Sequence, residues 1–282
     1  MASSSQQPFQ LRSLGLSVYV PTFLFAVGQG AVIPFTPLLA RELHASVAMA
    51  AFIVALRGIG TMVFDIPAGI LVGRVGERYA MVIGTAMLAV VAVGAALAKT
   101  PGVLAILVFM MGWSWAIWQL ARLAYVSDVA PPEVRGRALS LVGGTNRVGN
   151  FVGPFIGATI GGSFGLASSF YLQALLAVLA SGLMFVLVRG EEDRPDLGAH
   201  GAVSHGFVDV AKANVKILST AGVAMMCLGV LRSARQAIIP LWGEAIGLSP
   251  AAVANVFGVS NRSEEHTSEL QSRLHLVCRL LL

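Results

Sequence analysis

Arg57, Asp65, Arg122, Arg147 and Arg232 are charged side chains set inside long apolar runs. A charge in such a place is costly and normally faces a cavity or a partner. At about 1.5 Å of rise per residue, Arg57, Arg147 and Arg232 fall near the middle of their runs. Asp65 lies nearer one end, Arg122 nearer still, and Arg235 stands one turn beyond Arg232. Arginines therefore outnumber deep acids, and a polar cavity lined by them would suit an anionic or zwitterionic small molecule. The competing reading pairs these arginines with acids on other helices, or has them brace backbone carbonyls. Asn146 and Asn150 flank Arg147, and Gln29, Gln119 and Gln236 supply further hydrogen-bonding groups. The candidates for a substrate cavity are thus Gln29, Arg57, Gln119, Asn146, Arg147, Asn150, Arg232 and Gln236.

Asp65 is the acid placed to carry a proton, or to brace a helix end as a gate. Arg57 precedes it on the same run by about 12 Å along a helix axis and about 80° around it, too far for pairing. Arg74 or Arg122 is the better placed partner, and Asp128, at the end of its run, completes the proton-coupling or gate set. Trp113, Trp115 and Trp118 in "GWSWAIWQ" either stack a flat substrate or pack the helix. Other chemistries find no constellation. Cys227 and Cys278 make neither a disulfide framework nor a metal site. His200 and His205 fall in a glycine-rich polar stretch, where solvation is the simpler reading. "GRVGER" lacks the glycine spacing of a dinucleotide loop. No paired acids or Ser/His set point to an enzyme, and no cofactor is implied.

Those residues are positioned by membrane helices. The chain of 282 residues is 56% hydrophobic and 12% charged, with mean hydropathy +0.78, whereas soluble domains carry roughly 25% charged residues. A span needs about 20 apolar residues, and continuous runs occupy 14–40, 47–72, 79–98, 102–127, 138–163, 167–188 and 217–243. They are continuous rather than alternating, which excludes a barrel and makes the fold all-α. The run from Ala251 to Asn261 is too short to cross. A net charge of +5 reflects basic residues flanking helices, not nucleic-acid binding. Arg12, Arg74, Arg78, Arg135, Arg137, Arg189, Arg194, Lys212 and Lys216 lie on one side, against Arg41 and Lys99 on the other. The positive-inside rule then places the N-terminus in the cytoplasm. The first run is too long for a signal-peptide core and is retained as a span.

Two glycine patterns are specific. "GILVGRVGER" carries Gly69, Gly73, Arg74, Gly76 and Arg78, a loop in which glycines permit a tight reversal and arginines anchor the turn at headgroups. Gly149, Gly153, Gly157 and Gly161, with Pro154 among them, recur every fourth residue and clear one helix face for close approach. Pro131 and Pro132 stop the preceding helix.

Gly69, Leu71, Arg74, Gly76 and Arg78 resemble the loop signature between the second and third helices of the major facilitator superfamily. Gly73 stands where that signature has an acid, and Glu77 where it has a basic residue. Gly149-x-x-x-Gly153-Pro154-x-x-Gly157 resembles the fifth-helix signature of the antiporters in that superfamily, departing at Ser140 and Ala158. The resemblance implies twelve helices in two six-helix halves around a central cavity, each half made of inverted three-helix repeats. It implies a secondary active transporter moving a small organic solute by alternating access, as a proton-coupled, drug-efflux-like antiporter. The alternatives are a facilitator-type uptake transporter for an organic anion and, least supported, a seven-helix sensor. A retinal sensor would need a lysine deep in its last helix, and Lys216 lies only at the edge. The expected setting is a multi-pass protein of the bacterial inner membrane, monomeric at full length. In the superfamily the glycine face of the fifth helix meets the eighth, so here it is expected to be largely exposed.

The expected organisation is a six-helix half over 1–188, a cytoplasmic linker over 189–216, and the start of a second half over 217–261. Residues 262–272, "RSEEHTSELQS", resemble a translated sequencing adapter. The segment 262–282 is accordingly expected to be an artefactual tail on a truncated chain.

Overall fold

Prolines, caps and single glycines cut the apolar runs into helices in a computed structural model that describes residues 15–188 and 223–261. The linker expected over 189–216, with His200 and His205, and the tail expected over 262–282 lie outside the described residues. A π-helical turn at Gly15–Tyr19 leads into α1 (Val20–Val32), followed by α2 (Phe35–Glu42) and α3 (Val47–Val75). Then come α4 (Glu77–Ala96), α5 (Pro101–Val129), α6 (Pro132–Phe164), α7 (Ser168–Leu187), α8 (Val223–Ala245) and α9 (Pro250–Asn261). No strand occurs among the described residues. Ser46 and Thr100 cap α3 and α5 by accepting from the Met49 and Val103 amides, and Pro132 opens α6 at a position where its missing N–H costs nothing. Five helical segments, the π-turn with α1 and then α3, α4, α5 and α7, are long and apolar enough to cross a membrane. The two other long helices, α6 and α8, are the ones that carry Arg147 and Arg232.

The reversal after α3 differs from the expected glycine-rich loop. Gly69, Gly73 and Arg74 remain helical, and all three are exposed. The turn is made at Gly76 alone, whose φ of 78° suits glycine and which ends α3 and starts α4. Arg78 leaves the headgroup role expected of it. Its Nη2 donates to the Phe185 carbonyl, one of the orphan acceptors at the end of α7, and its guanidinium lies 5.4 Å from the Phe185 ring.

Six of the first seven helices pack as two triplets, with α2 lying against α3. α1 lies against α6 and α7, α5 lies against α3 and α4, and α4 joins α7 to connect the groups. The glycine stripe of α6 does not stay exposed. A Cβ built at Gly149 would sit 2.5 Å from the Ala26 Cβ, and one at Gly153 2.5 Å from the Val27 carbonyl. At Gly157 the Ala31 carbonyl would be 2.7 Å away, and at Gly161 the Phe35 ring 2.8 Å. The stripe is consumed inside the bundle by α1 and, at Gly161, by Phe35 of α2, and the adjoining face of α6 meets α9. There Gly258 abuts Phe155 and Pro154, and Gly162 abuts Ala251.

The α3–α5 contact is equally close and was not legible as a motif. Side chains at Gly60 and Gly112 would collide with the backbone of Phe109 and Arg57 respectively. Thr61 Oγ1 stitches the crossing by donating to the carbonyls of Arg57 at 3.1 Å and Gly112 at 3.2 Å.

Candidate functional site

The rings of α5 and α1 draw the buried Arg122 and the half-buried Arg57 to one place. Trp118 is wholly buried and lies face to face with Phe25, centroids 3.8 Å apart and planes inclined by 14°. The Arg122 guanidinium stands 4.0 Å from the Trp118 ring centroid. Trp115, half-buried, lies 5.8 Å from Phe25 and 5.4 Å from Trp118, with Arg57 5.9 Å above it. Guanidinium groups favour ring faces because the ring quadrupole is negative there. Trp113 takes no part: it stacks on Phe64 at 4.5 Å on the α3 side. Of the three tryptophans singled out in the sequence, only Trp115 joins this group and keeps partial exposure.

Arg122 is the most constrained charge, at 3% exposure. Its Nη2 donates to the Oε1 of Gln119, one turn back on α5, while Nε and Nη1 are buried without a hydrogen-bond partner. Gln29 on α1 is also buried, and its Nε2 has no partner. Asn150 Nδ2 donates to the Asn146 carbonyl at 2.9 Å, leaving Asn146 Oδ1 buried and unpartnered. Buried donors and acceptors in this condition call for water or a ligand.

The remaining candidates line the contact between the first seven helices and α8–α9. α8 crosses α3 where a Cβ on Gly58 would lie 3.7 Å from Ser233 Oγ. Asp65 is exposed and follows Gly58 by seven residues, hence on the same face and about 10 Å further along. On α6, Arg147 is exposed and precedes Pro154 by seven residues, so it shares the face that meets α9. Gln236 on α8 is half-buried, and Arg232 is exposed. Arg235 donates to the Ser260 carbonyl at 3.2 Å and to Asn261 Oδ1 at 2.8 Å, tying α8 to the end of α9. The pairing expected for Asp65 or Asp128 with Arg74 or Arg122 is not formed. Arg122 is turned inward onto Trp118, and Asp65, Arg74 and Asp128 are all exposed.

At the opposite end the contact is closed by a pair that sequence reasoning missed. Arg41 Nε lies 3.2 Å from both carboxylate oxygens of Glu244, and Arg41 Nη1 donates to the Ala45 carbonyl at 2.6 Å. Nothing local in the sequence links two charges so far apart along the chain. Nearby on α8, Ala237, Pro240 and Gly243 are buried, whereas Leu228, Val230 and Leu231 further back are exposed.

Five segments long and apolar enough to cross a membrane, packed with α6 into two triplets and with arginines drawn onto an aromatic core, define a multi-pass membrane protein with charge inside its bundle. The chain belongs to the Major Facilitator Superfamily, whose sequence model matches residues 18–261. It is 22% identical to multidrug resistance protein 2 of Bacillus subtilis over 85% of this chain and 60% of that protein. Multidrug resistance protein 1 of the same organism is 29% identical over 62% of this chain and 44% of that protein. The chain thus spans 60% or less of these relatives. Among solved structures, the inward-facing bacterial homologue of the human lysosomal transporter Spinster superposes with a TM-score of 0.70 at 14% identity, covering 89% of this chain and 60% of that one. The nucleoside transporter NupG gives 0.70 at 13%, covering 90% and 66%. A D-xylose–proton symporter gives 0.62 at 18%, covering 88% and 65%. These structures are of transporters, not enzymes.

Proposed function

We propose that this chain forms the substrate-handling part of a secondary active transporter that exports a small organic solute by alternating access, driven by protons. The observation that carries this reading is the asymmetric contact between the first seven helices and α8–α9. Arg41 and Glu244 pin one end, while the α8 surface carrying Leu228, Val230 and Leu231 is exposed at the other. An interface closed at one end and open at the other is what a rocking transporter presents in one of its two states. The multidrug resistance proteins to which the chain is similar support export, and the similarity to a proton symporter supports ion coupling.

In this reading the Arg74 end faces the cytoplasm of a bacterial inner membrane, as its excess of basic residues favours. The units are 1–188 and 217–261, joined by the linker 189–216, and the transporter acts as a monomer. Gln29, Arg57, Gln119, Asn146, Arg147, Asn150, Arg232 and Gln236 line the solute path. Asp65, on the open face, is the proton carrier, and Arg74 and Asp128 act with it at the gate, while Arg122, expected there from the sequence, is turned inward toward the solute path.

The test is dye retention in cells expressing this chain at the full length of its family, with anionic carboxyfluorescein and cationic ethidium loaded in parallel. Lower retention of at least one dye, restored by a protonophore, is the expected result. Equal retention of both dyes with and without the protein would overturn the reading.

A further inference from the structure

We infer that Arg122 and Arg57 are the two ends of a binding subsite for an organic carboxylate, with Trp115 as its apolar wall and the Gln119 amide as the placeholder the carboxylate displaces. The inference rests on the transport reading, because it assigns the chemical class of the solute to a site on the proposed path.

Arg122 presents a guanidinium in a place almost closed to solvent, and one of its three nitrogens is matched, by a neutral amide oxygen. The other two, Nε and Nη1, have no partner. The guanidinium edge that a carboxylate fills with two parallel bonds carries Nε–H and Nη2–H, so the unpartnered Nε offers one bond at once and Nη2 offers the second when the Gln119 oxygen leaves it. Gln119 is half-buried beside it. Gln119 thus satisfies part of Arg122 while the site is empty without supplying a permanent counter-charge.

The body of the ligand is set by the rings. Trp118 is covered by Phe25 and by Arg122, so neither of its faces receives a ligand. Trp115 is half-buried and carries Arg57 over its ring, with no hydrogen bond from that guanidinium to a described residue. A planar or aromatic skeleton beside Trp115 places its carboxylate toward Arg122 and its electron-rich face toward Arg57. A cationic ligand has no comparable seat. Asp65, the deep acid, belongs to the α3 face that looks toward α8 and pairs with neither arginine.

Isothermal titration of the purified chain in detergent, with benzoate as probe and benzylammonium as its cationic counterpart, tests the inference. Benzoate is expected to bind saturably and at least tenfold more tightly than benzylammonium. Arg122→Gln and Arg57→Gln are each expected to weaken benzoate tenfold or more with unchanged helical circular dichroism. Gln119→Ala keeps both cations and removes the internal competitor, so it should tighten benzoate several-fold, an effect that a purely structural role for Gln119 would not produce. Benzylammonium binding as tightly as benzoate, or Gln119→Ala leaving benzoate unchanged or weaker, would overturn the carboxylate subsite. Either result would leave the transport reading to the dye assay, while failure of both dyes to be exported would remove the transport reading with the binding result intact.

Discussion

The two ends of the contact between the first seven helices and α8–α9 are built on opposite principles. At the Arg41 end, close approach is made by small residues, Gly258 and Gly162, and locked by Arg41 with Glu244. At the Arg74 end, Asp65 and Arg147 lie on the facing surfaces of α3 and α6 with no ion pair between them, and the facing stretch of α8 is exposed. The first end gains van der Waals contact and one hydrogen-bonded charge pair. The second leaves the charges of Asp65 and Arg147 exposed. The difference shows how one interface can hold a closed end without closing the whole path: adhesion is concentrated where side chains are small, and charge where they are exposed.

The sharpest way to break this comparison is to put bulk into each end. Gly258→Leu drives a side chain into the Phe155 ring and Pro154, which lie 2.9 Å and 3.3 Å from a Cβ there. Overpacking of this kind costs about 1–3 kcal/mol, and α9 is expected to lose hydrogen-exchange protection over 250–261. Gly73→Leu at the other end has nothing within 4 Å of its Cβ and should change stability by no more than about 0.5 kcal/mol. Equal responses at the two sites would mean that the asymmetry is not energetic.

The ion pair is the next lever. Both side chains are about a third exposed, so screening limits the pair to the upper part of the roughly 0.2–1 kcal/mol range for such contacts. Glu244→Gln is expected to widen the distance between spin labels placed at the exposed Val47 and Leu248 in a fraction of molecules, changing the open-to-closed ratio up to about fivefold. High salt should reproduce part of the effect in the unmodified chain, because screening acts on the same pair. A distance distribution unmoved by both would assign the closed end to packing alone.

What the sequence disclosed and what it hid divide along the same line between local and distant signals. The helices, their ends at Pro131–Pro132 and the seam of α6 follow from periodicity and composition, which are local. Which helix the seam would meet is not local: Gly149 to Gly161 were expected to face outward, and instead Gly149, Gly153 and Gly157 hold α1, where Ala26, Gly30 and Ala31 offer a matching surface of small groups, and Gly161 meets Phe35 of α2. The α3–α5 seam escaped notice because Gly60 and Gly112 are single glycines on separate helices with no repeat to mark them. Arg57 and Arg122 stood out as charges in apolar runs, yet their convergence on Trp115 and Trp118 depends on Phe25 reaching across from α1. The Arg41–Glu244 pair depends on the fold bringing the end of α2 against the end of α8, which no spacing rule encodes.

The smallest structural effect is expected at Asp65, and its smallness is the point. The carboxylate is exposed on α3, on the face that opens toward α8, and makes no ion pair with a described residue. Removing its charge therefore breaks no contact. Asp65→Asn should leave the melting temperature unchanged within a degree or two, the range of a surface substitution with no partner. If the acid carries the coupling proton, the same variant should flatten the pH dependence of dye export, since the asparagine amide neither gains nor loses a proton across that range. If it braces a helix instead, the order reverses: the melting temperature falls and the pH profile keeps its shape. The two measurements on one variant thus separate a charge kept apart for transport from a charge kept for structure, and only the first is consistent with an open end that holds its acid and its arginine apart.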